Sequence, residues 1–445
     1  MKSHKKAVWG WVIYDWANSA FATTVMAGFF PIFFKEFWNY GVNPNLSTYR
    51  LALANSIASA VVALMAPVLG AIADKGSTKK KFLIFFAYLG VLMTASLFLV
   101  QKGQWLYAFF IYIMGIIGFS GANVFYDSLL PSVAGRDKID YISSLGFSIG
   151  YLGGGILFLI NVLMTQMPHQ FGLADPAAAV RYSFLSVALW WGFFTIITIF
   201  WVPEDKSTSE KNSRESVVIA GFRQLAGTFR KVRNLKVVFL FLLAYWLYID
   251  GVDTIIRMAV DYGLSLGFES SDLIKALLIV QFVGFPAALV FGKLGEKWSV
   301  RKSIYLAIAI YMAVTVYGTM MTQKHEFYIL AVVIGCVQGG IQALSRSYYS
   351  RLIPKNRAAE YYGFYNMLGK FAAILGPVLI GWVGLAVRQI LMPPSPTLEQ
   401  EIAIGQLASR WGIGSVIILF IAGAVLFYFV DEEKGREQAK YLSAE

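Results

Sequence analysis

The chain has 445 residues, of which 57% are hydrophobic and 14% charged, with a formal net charge of +12 and a mean hydropathy of +0.60. A soluble domain carries about a quarter charged residues, so the composition excludes an ordinary water-soluble globule and points to a polytopic integral membrane protein. The positive charge reads as basic loops that set membrane orientation rather than as a nucleic-acid surface, and a lone cysteine, Cys336, excludes an internal disulfide.

The first apolar run, Trp11 to Phe34, is long enough to cross hydrocarbon at about 1.5 Å per residue. It contains Asp15 and Asn18, which share one helical face. A carboxylate at that depth costs about 2.5–3.5 kcal/mol, so this face must look at other helices or at a wet cavity. Lys2, Lys5 and Lys6, with Ala20-Phe-Ala22 further on, resemble a secretory signal layout. The polar interruptions and the continuation of the run past Ala22 predict a retained helix instead.

Twelve crossings are predicted, near 8–36, 48–73, 82–100, 105–130, 139–164, 182–202, 236–262, 272–292, 303–321, 327–350, 358–391 and 407–430. The polar stretch 203–235 separates an N-terminal six-helix bundle (1–202) from a C-terminal one (236–445). In that linker Val218, Phe222, Leu225, Phe229 and Val232 recur at helical spacing among Arg223, Arg230, Lys231 and Arg233. This suits an amphipathic helix on the membrane surface, or a solvated basic linker. The prolines of Met392 to Gln400 predict an irregular outer loop. Lys and Arg fall mainly on the inner side when both termini are cytoplasmic.

The halves repeat. Gly70, Asp74, Lys79 and Lys80 after helix two match Gly292, Glu296, Arg301 and Lys302 after helix eight: glycine, an acid four residues on, then two bases. Pro131, Gly146 and Gly153 recur in order as Pro354, Gly369 and Gly376. Asp15–Asn18–Ser19 is echoed by Asp250–Asp253–Thr254. Such parallel repeats put a binding site near the midplane, between the halves.

These residues resemble the major facilitator superfamily, whose twelve helices fall in two halves with this loop motif after helices two and eight. Within it, YDWANSAF (Tyr14 to Phe21), LYIDGVDTI (Leu247 to Ile255), QGGIQALSRS (Gln338 to Ser347) and GKFAAILGP (Gly369 to Pro377) are similar to the vacuole-effluxer branch. The resemblance implies an all-α integral membrane fold and, from the eukaryotic members of that branch, export of amino acids. Glu296 in place of Asp is the one departure in the loop motif.

In that motif Gly70 and Gly292 permit close helix approach, while Asp74 and Glu296 can bond the orphan amides of a neighbouring helix. With Lys79 and Arg301 they form candidate gates, or merely mark topology. Asp250, Asp253, Arg257 and Asp261 form one stripe on helix seven. There Asp253 and Arg257 have the spacing of an ion pair, and Asp250 and Asp253 are expected to face a cavity. Lys370 lies too deep in helix eleven to snorkel easily, with Asn366 on its face; Gln338 and Gln342 share a face of helix ten. Arg346, nearer the inner end, is a candidate gating residue, or simply snorkels or pairs with loop acids such as Glu296. Asp127, four residues after Asn123, is expected to cap or gate. Gly146, Gly150 and Gly154 read as a packing seam without chemistry.

No metal, nucleotide or other cofactor is expected, and no enzyme activity: the three histidines are scattered, and GFYNMLGKF (Gly363 to Phe371) departs from a phosphate loop in spacing and in its last residue. The expectation is a secondary transporter for a small solute, an amino acid or related zwitterion, with rocker-switch access and proton-coupled efflux. Asp15, Asn18, Asp250, Asp253, Arg257, Gln338, Gln342, Asn366 and Lys370 are its candidate substrate or coupling residues. A lysolipid or other amphiphile is the alternative cargo, and a non-transporting receptor or scaffold the alternative class. The expected setting is a monomer among lipids in a bacterial inner membrane.

Overall fold

The computed structural model describes residues 2–42, 44–203, 236–371 and 374–444, and among them every regular element is helical. The basic linker with its expected amphipathic helix lies outside the described residues, as do the side chains of Asp261 and Lys370. The helices are α1 (His4–Trp38), α2 (Pro44–Gly76), α3 (Lys79–Ser96), α4 (Trp105–Val133), α5 (Ile139–Gln166) and α6 (Pro176–Trp201). They continue with α7 (Lys236–Ser265), α8 (Ser270–Lys297), α9 (Val300–Met320) and α10 (Lys324–Leu352). Last come α11 (Ala358–Phe371), α12 (Leu375–Leu391), α13 (Leu398–Tyr428) and α14 (Glu432–Ala444). Eleven of these are long and apolar enough to cross a membrane, and α12 is a shorter apolar helix.

The buried apolar residues form two cores. One is built on α1–α6 around Trp11, Trp38 and Trp191, and takes only Ala359 from beyond residue 202. The other, built on α7–α13, centres on Tyr248, Tyr311, Tyr348 and Phe427. The seam between them runs along α5 and α8, and along α2 and α11. We call the end with Lys79, Lys138, Arg301 and Lys355 the basic end, and the other the far end.

Two boundaries differ from expectation for local reasons. The sixth crossing begins earlier because Asp175 caps it, accepting the Ala178 N–H at 2.6 Å, with Pro176 in the first turn. The last crossing likewise starts at Leu398, because Thr397 and Gln400 form a reciprocal capping box. Helix α1 is π-wound over Phe21–Phe29 and Phe34–Trp38, a winding that is rare and usually accompanies a functional site.

Within the eleventh crossing, expected as one helix, a helix starts anew at Leu375. Gly376-Pro377 sets that start, since Pro377 has no N–H and its ring crowds the preceding turn. The restarted α12 then exposes its first amides. Asp250 of α7 takes them: Oδ2 accepts the Leu375 N–H at 3.0 Å, Oδ1 accepts the Gly376 N–H at 2.9 Å, and Thr254 donates to Oδ1 at 3.1 Å. Asp250 is fully buried by this role. Asp250→Ala is therefore expected to lower stability by about 2 kcal/mol, with Asp250→Asn keeping about half of that, read from thermal melts in detergent.

Candidate substrate cavity

A cavity of about 380 Å³ lies between the two cores. From α1 it is lined by Asp15, Asn18, Ala22, Thr23 and Met26, so the π-wound stretch forms part of its wall. Helix α4 supplies Asn123, Tyr126 and Asp127; α5 supplies Phe147 and Tyr151; α7 supplies Tyr245, Asp253 and Arg257. Gln281, Gln338, Gln342, Arg346, Asn366 and Gly369 complete it from α8, α10 and α11.

Arg346 forms the floor at the basic end. Although it belongs to α10, its acidic partners all lie in the other half. Nη1 is 3.1 Å from Asp127 Oδ1, and Nη2 is 3.7 Å from Asp15 Oδ2. Nε donates to Ser143 Oγ and Nη2 to the Ser143 carbonyl, both at 2.9 Å. Ser143 Oγ itself donates back to the Ala343 carbonyl at 2.8 Å. The guanidinium also sits over Phe147 at 4.4 Å and Trp11 at 4.8 Å, within cation–π range. Tyr126 donates to Asp15 Oδ2 at 2.6 Å, Asn366 donates to Asp127 Oδ2 at 3.2 Å, and Asn18 donates to Asn123 at 2.7 Å. Arg346 thus pairs with the cavity acids, not with Glu296 and not by snorkelling: its guanidinium is held by four polar contacts, to Asp127, Asp15 and twice to Ser143. Asp127 is likewise a wall of the cavity as well as an inter-half contact.

Helix α5 comes close enough to α1 to hold this floor because its glycine stripe faces the polar edge of α1. A Cβ at Gly146 would lie 2.5 Å from Asp15 Oδ2, and one at Gly150 2.6 Å from Ser19 Oγ. The seam therefore packs against candidate functional side chains.

Below the floor the basic end is shut. Asp74 at the end of α2 accepts the N–H groups of Ala359 (3.2 Å) and Glu360 (2.8 Å), the first free amides of α11, and pairs with Lys79 at 3.0 Å. Helix backbones nearly touch here: a Cβ at Gly363 would lie 2.7 Å from the Ala66 carbonyl oxygen, and one at Gly70 2.9 Å from the Glu360 Cα. The matching segment of the other half is built differently. Gly292 packs on Ser144, where a Cβ would lie 2.6 Å from the Ser144 Cβ. Glu296, however, is exposed and caps nothing among the described residues, because the first turn of α5 already carries its own carboxylate, Asp140, which repels a second. Asp140 instead pairs with Arg351 of α10, and Arg351 also reaches Glu432 of α14 at 3.4 Å. Arg301 bonds the carbonyl oxygens of Phe427, at 3.4 Å, and Tyr428, closing the end of α13. A second cavity of about 640 Å³ opens beside this bridge, with walls from both halves that include Lys138, Glu296, Arg351 and Arg436.

Of the substrate residues expected from sequence, Asp15, Asn18, Asp253, Arg257, Gln338, Gln342 and Asn366 meet at the cavity. Asp250 does not: its oxygens are committed to the α12 amides, and it lines neither cavity wall. Lys370 follows the lining residue Gly369, but its side chain lies outside the described residues. Tyr126, Tyr151, Gln281 and Ser143 were not anticipated. Asn123, Tyr126 and Asp127 share one face of α4, which was the available signal for Tyr126.

This arrangement of helices is that of the major facilitator superfamily transporters. The structure superposes on the proton:xylose symporter XylE with a TM-score of 0.67 over 99% of this chain and 98% of that one, at 12% identity. On the human organic anion transporter MFSD10 the TM-score is 0.66 over 95% and 99%, also at 12% identity. The chain belongs to the Atg22-like vacuole effluxer family, whose model matches residues 3–393. It is 40% identical to YxiO, an uncharacterised MFS-type transporter of Bacillus subtilis, over 97% of this chain and 96% of that one. It is 24% identical to autophagy-related protein 22 of Yarrowia lipolytica, over 83% and 73%. It is an integral membrane transporter of the MFS type and not an enzyme.

Proposed function

We propose that this transporter exports an α-amino acid or a related zwitterion by alternating access of its bundles 1–202 and 236–445, coupled to protons. One observation carries the reading. A single cavity presents carboxylates (Asp15, Asp127, Asp253) and a cavity-exposed guanidinium, Arg257, for which no ion pair is found among the described residues. A zwitterion needs both signs within its own length. Beyond Thr23, Gln281 and Gln338 the cavity adjoins a recess of about 180 Å³ walled by Ile255, Ile256, Leu277, Val280 and Ile334, which suits an apolar side chain. In this reading the ammonium group goes to the floor acids, the carboxylate to Arg257, and the glutamines and Asn366 orient the cargo. Asp74, Lys79 and the Gly70 seam act as the cytoplasmic gate, with both termini in the cytoplasm of a bacterial cell.

Flux of leucine, lysine, glutamate and lysophosphatidylcholine through purified protein in proteoliposomes tests this. Saturable leucine flux, reduced at least tenfold by Arg257→Gln, is expected. Lysophosphatidylcholine movement without any amino-acid flux would replace this reading with an amphiphile carrier.

A further inference from the structure

The cavity is tall, and four helices measure its height. On α10 the lining runs from Arg346 at the floor to Gln338, and Ile334 walls the apolar recess one turn further on. Helix rise puts these about 12 and 18 Å above Arg346. Helix α5 gives the same scale. Ser143 holds Arg346 at 2.9 Å, while Gly155 lies where a Cβ would come 3.1 Å from Gln281 Cβ, about 18 Å along the helix. On α1, Asp15 packs on Gly146 at the floor, and Thr23, packed on Gly154, borders both cavity and recess, about 12 Å higher. On α7, Tyr245 stacks on Tyr365 at 4.2 Å, beside the Asn366 that bonds Asp127. Arg257 stands about 18 Å further along that helix, next to Ile255 and Ile256 of the recess. The floor acids are therefore about 12–18 Å from both the recess and Arg257. This spacing follows from helix rise and holds whatever further charge reaches the floor.

An α-amino acid carries its ammonium, carboxylate and side chain on one Cα. From the ammonium nitrogen to the tip of a leucine side chain is four bonds, about 5 Å. A hydrogen bond of about 2.8 Å to the floor acids extends this to about 8 Å, short of the recess. Extended chain adds about 3.3–3.6 Å per residue. With a charge-assisted bond of about 2.8 Å at each end, two residues reach about 12–13 Å and three about 16 Å. The wall between the two ends is rich in carboxamides. Gln342 and Gln338 stand one and two turns above Arg346, with Asn18 on α1 of the other half. A carboxamide offers the same kinds of donor and acceptor as a peptide group. Four residues of α10 separate the two glutamines by about 6 Å, close to the two-residue repeat of extended chain, about 7 Å.

We infer that the cargo of this site is a short peptide of two or three residues with an apolar C-terminal residue. Its ammonium group lies on Asp15 and Asp127, and its peptide groups run along Gln342, Gln338 and Asn18. Its carboxylate meets Arg257, and its last side chain fills the recess. This rests on the zwitterionic reading of the cargo and narrows it: peptide groups hold the two charges apart.

The test is calorimetric titration of the full-length protein in detergent with L-leucine, Gly-Gly-Leu, Leu-Gly-Gly and ω-aminooctanoate, the last a zwitterion of similar length without peptide groups. Gly-Gly-Leu is expected to bind at least tenfold more tightly than each of the others. Amidation of its C-terminus is expected to remove at least tenfold of that affinity, a loss that needs no variant protein. Gln342→Leu is expected to weaken Gly-Gly-Leu at least tenfold and leucine less than threefold. Leucine or ω-aminooctanoate binding as tightly as Gly-Gly-Leu overturns the peptide cargo and leaves the zwitterion reading standing. Failure of leucine and both peptides alike to bind overturns both.

Discussion

Arg346→Met is expected to abolish transport and to lower stability by about 3 kcal/mol, the cost of leaving buried acids without their partner. The substitution fits the volume but removes a group that touches Asp127, Asp15 and Ser143 together. Arg346→Lys keeps the charge and is still expected to fail, because a single ammonium cannot serve Ser143 from two nitrogens while reaching Asp127. Adding Asp127→Asn to Arg346→Met is expected to recover part of the lost stability but none of the flux. That outcome separates charge burial, read from melting in detergent, from the inter-half tie, read from proteoliposome flux. Equal flux in the native chain and the lysine variant would show that the geometry of the tie does not matter.

The second large effect is expected at the α2–α11 seam. Gly70→Leu places side-chain atoms against the backbone of Ala359 and Glu360, and backbone cannot rotate aside. The shut basic end is then unavailable, while any arrangement with α2 and α11 apart is untouched. Flux is expected to fall more than tenfold with little loss of melting temperature. Gly363→Leu, which meets Ala66 and Pro67 from the opposite side of the seam, is expected to behave alike. A cysteine at Gln342 in a Cys336→Ser background reports the cause: an impermeant maleimide should reach it from the basic end in the leucine variants and not in the parent. Unchanged labelling with normal flux would show that this approach is not needed for closure.

Much of this architecture could be read before the structure because it rests on the length of the bilayer. About twenty apolar residues make a span, and an acid within one demands a polar surrounding. Asp15 was legible on those terms alone. Asp250 sits at a similar depth and was misread, since depth says nothing about which amides compete for a carboxylate. The warning lay 126 residues away in Gly376-Pro377, where the start of a helix exposes the N–H groups that Asp250 takes. The pairing of Arg346 with Asp127 joins positions 219 apart. Sequence sets the height of each along its helix, but not the rotation of one helix against another. The repeat of the loop motif was visible in both halves. The acid that competes at the second copy, Asp140, lies on a different helix from Glu296 and so escaped a motif read along one segment.

The bridge from Asp140 through Arg351 to Glu432 has an experimental corollary. Helix α14 is fastened to Arg351, one of the residues that join the two halves, and Glu432 is held a second time by Arg436 of the same helix. A label placed on α14 is thereby mechanically linked to the junction, and its distance to a label on α5 gives a spectroscopic ruler for each turnover. By the same linkage a bulky fusion protein hung after α14 loads that junction, so an affinity handle for functional work belongs in front of α1.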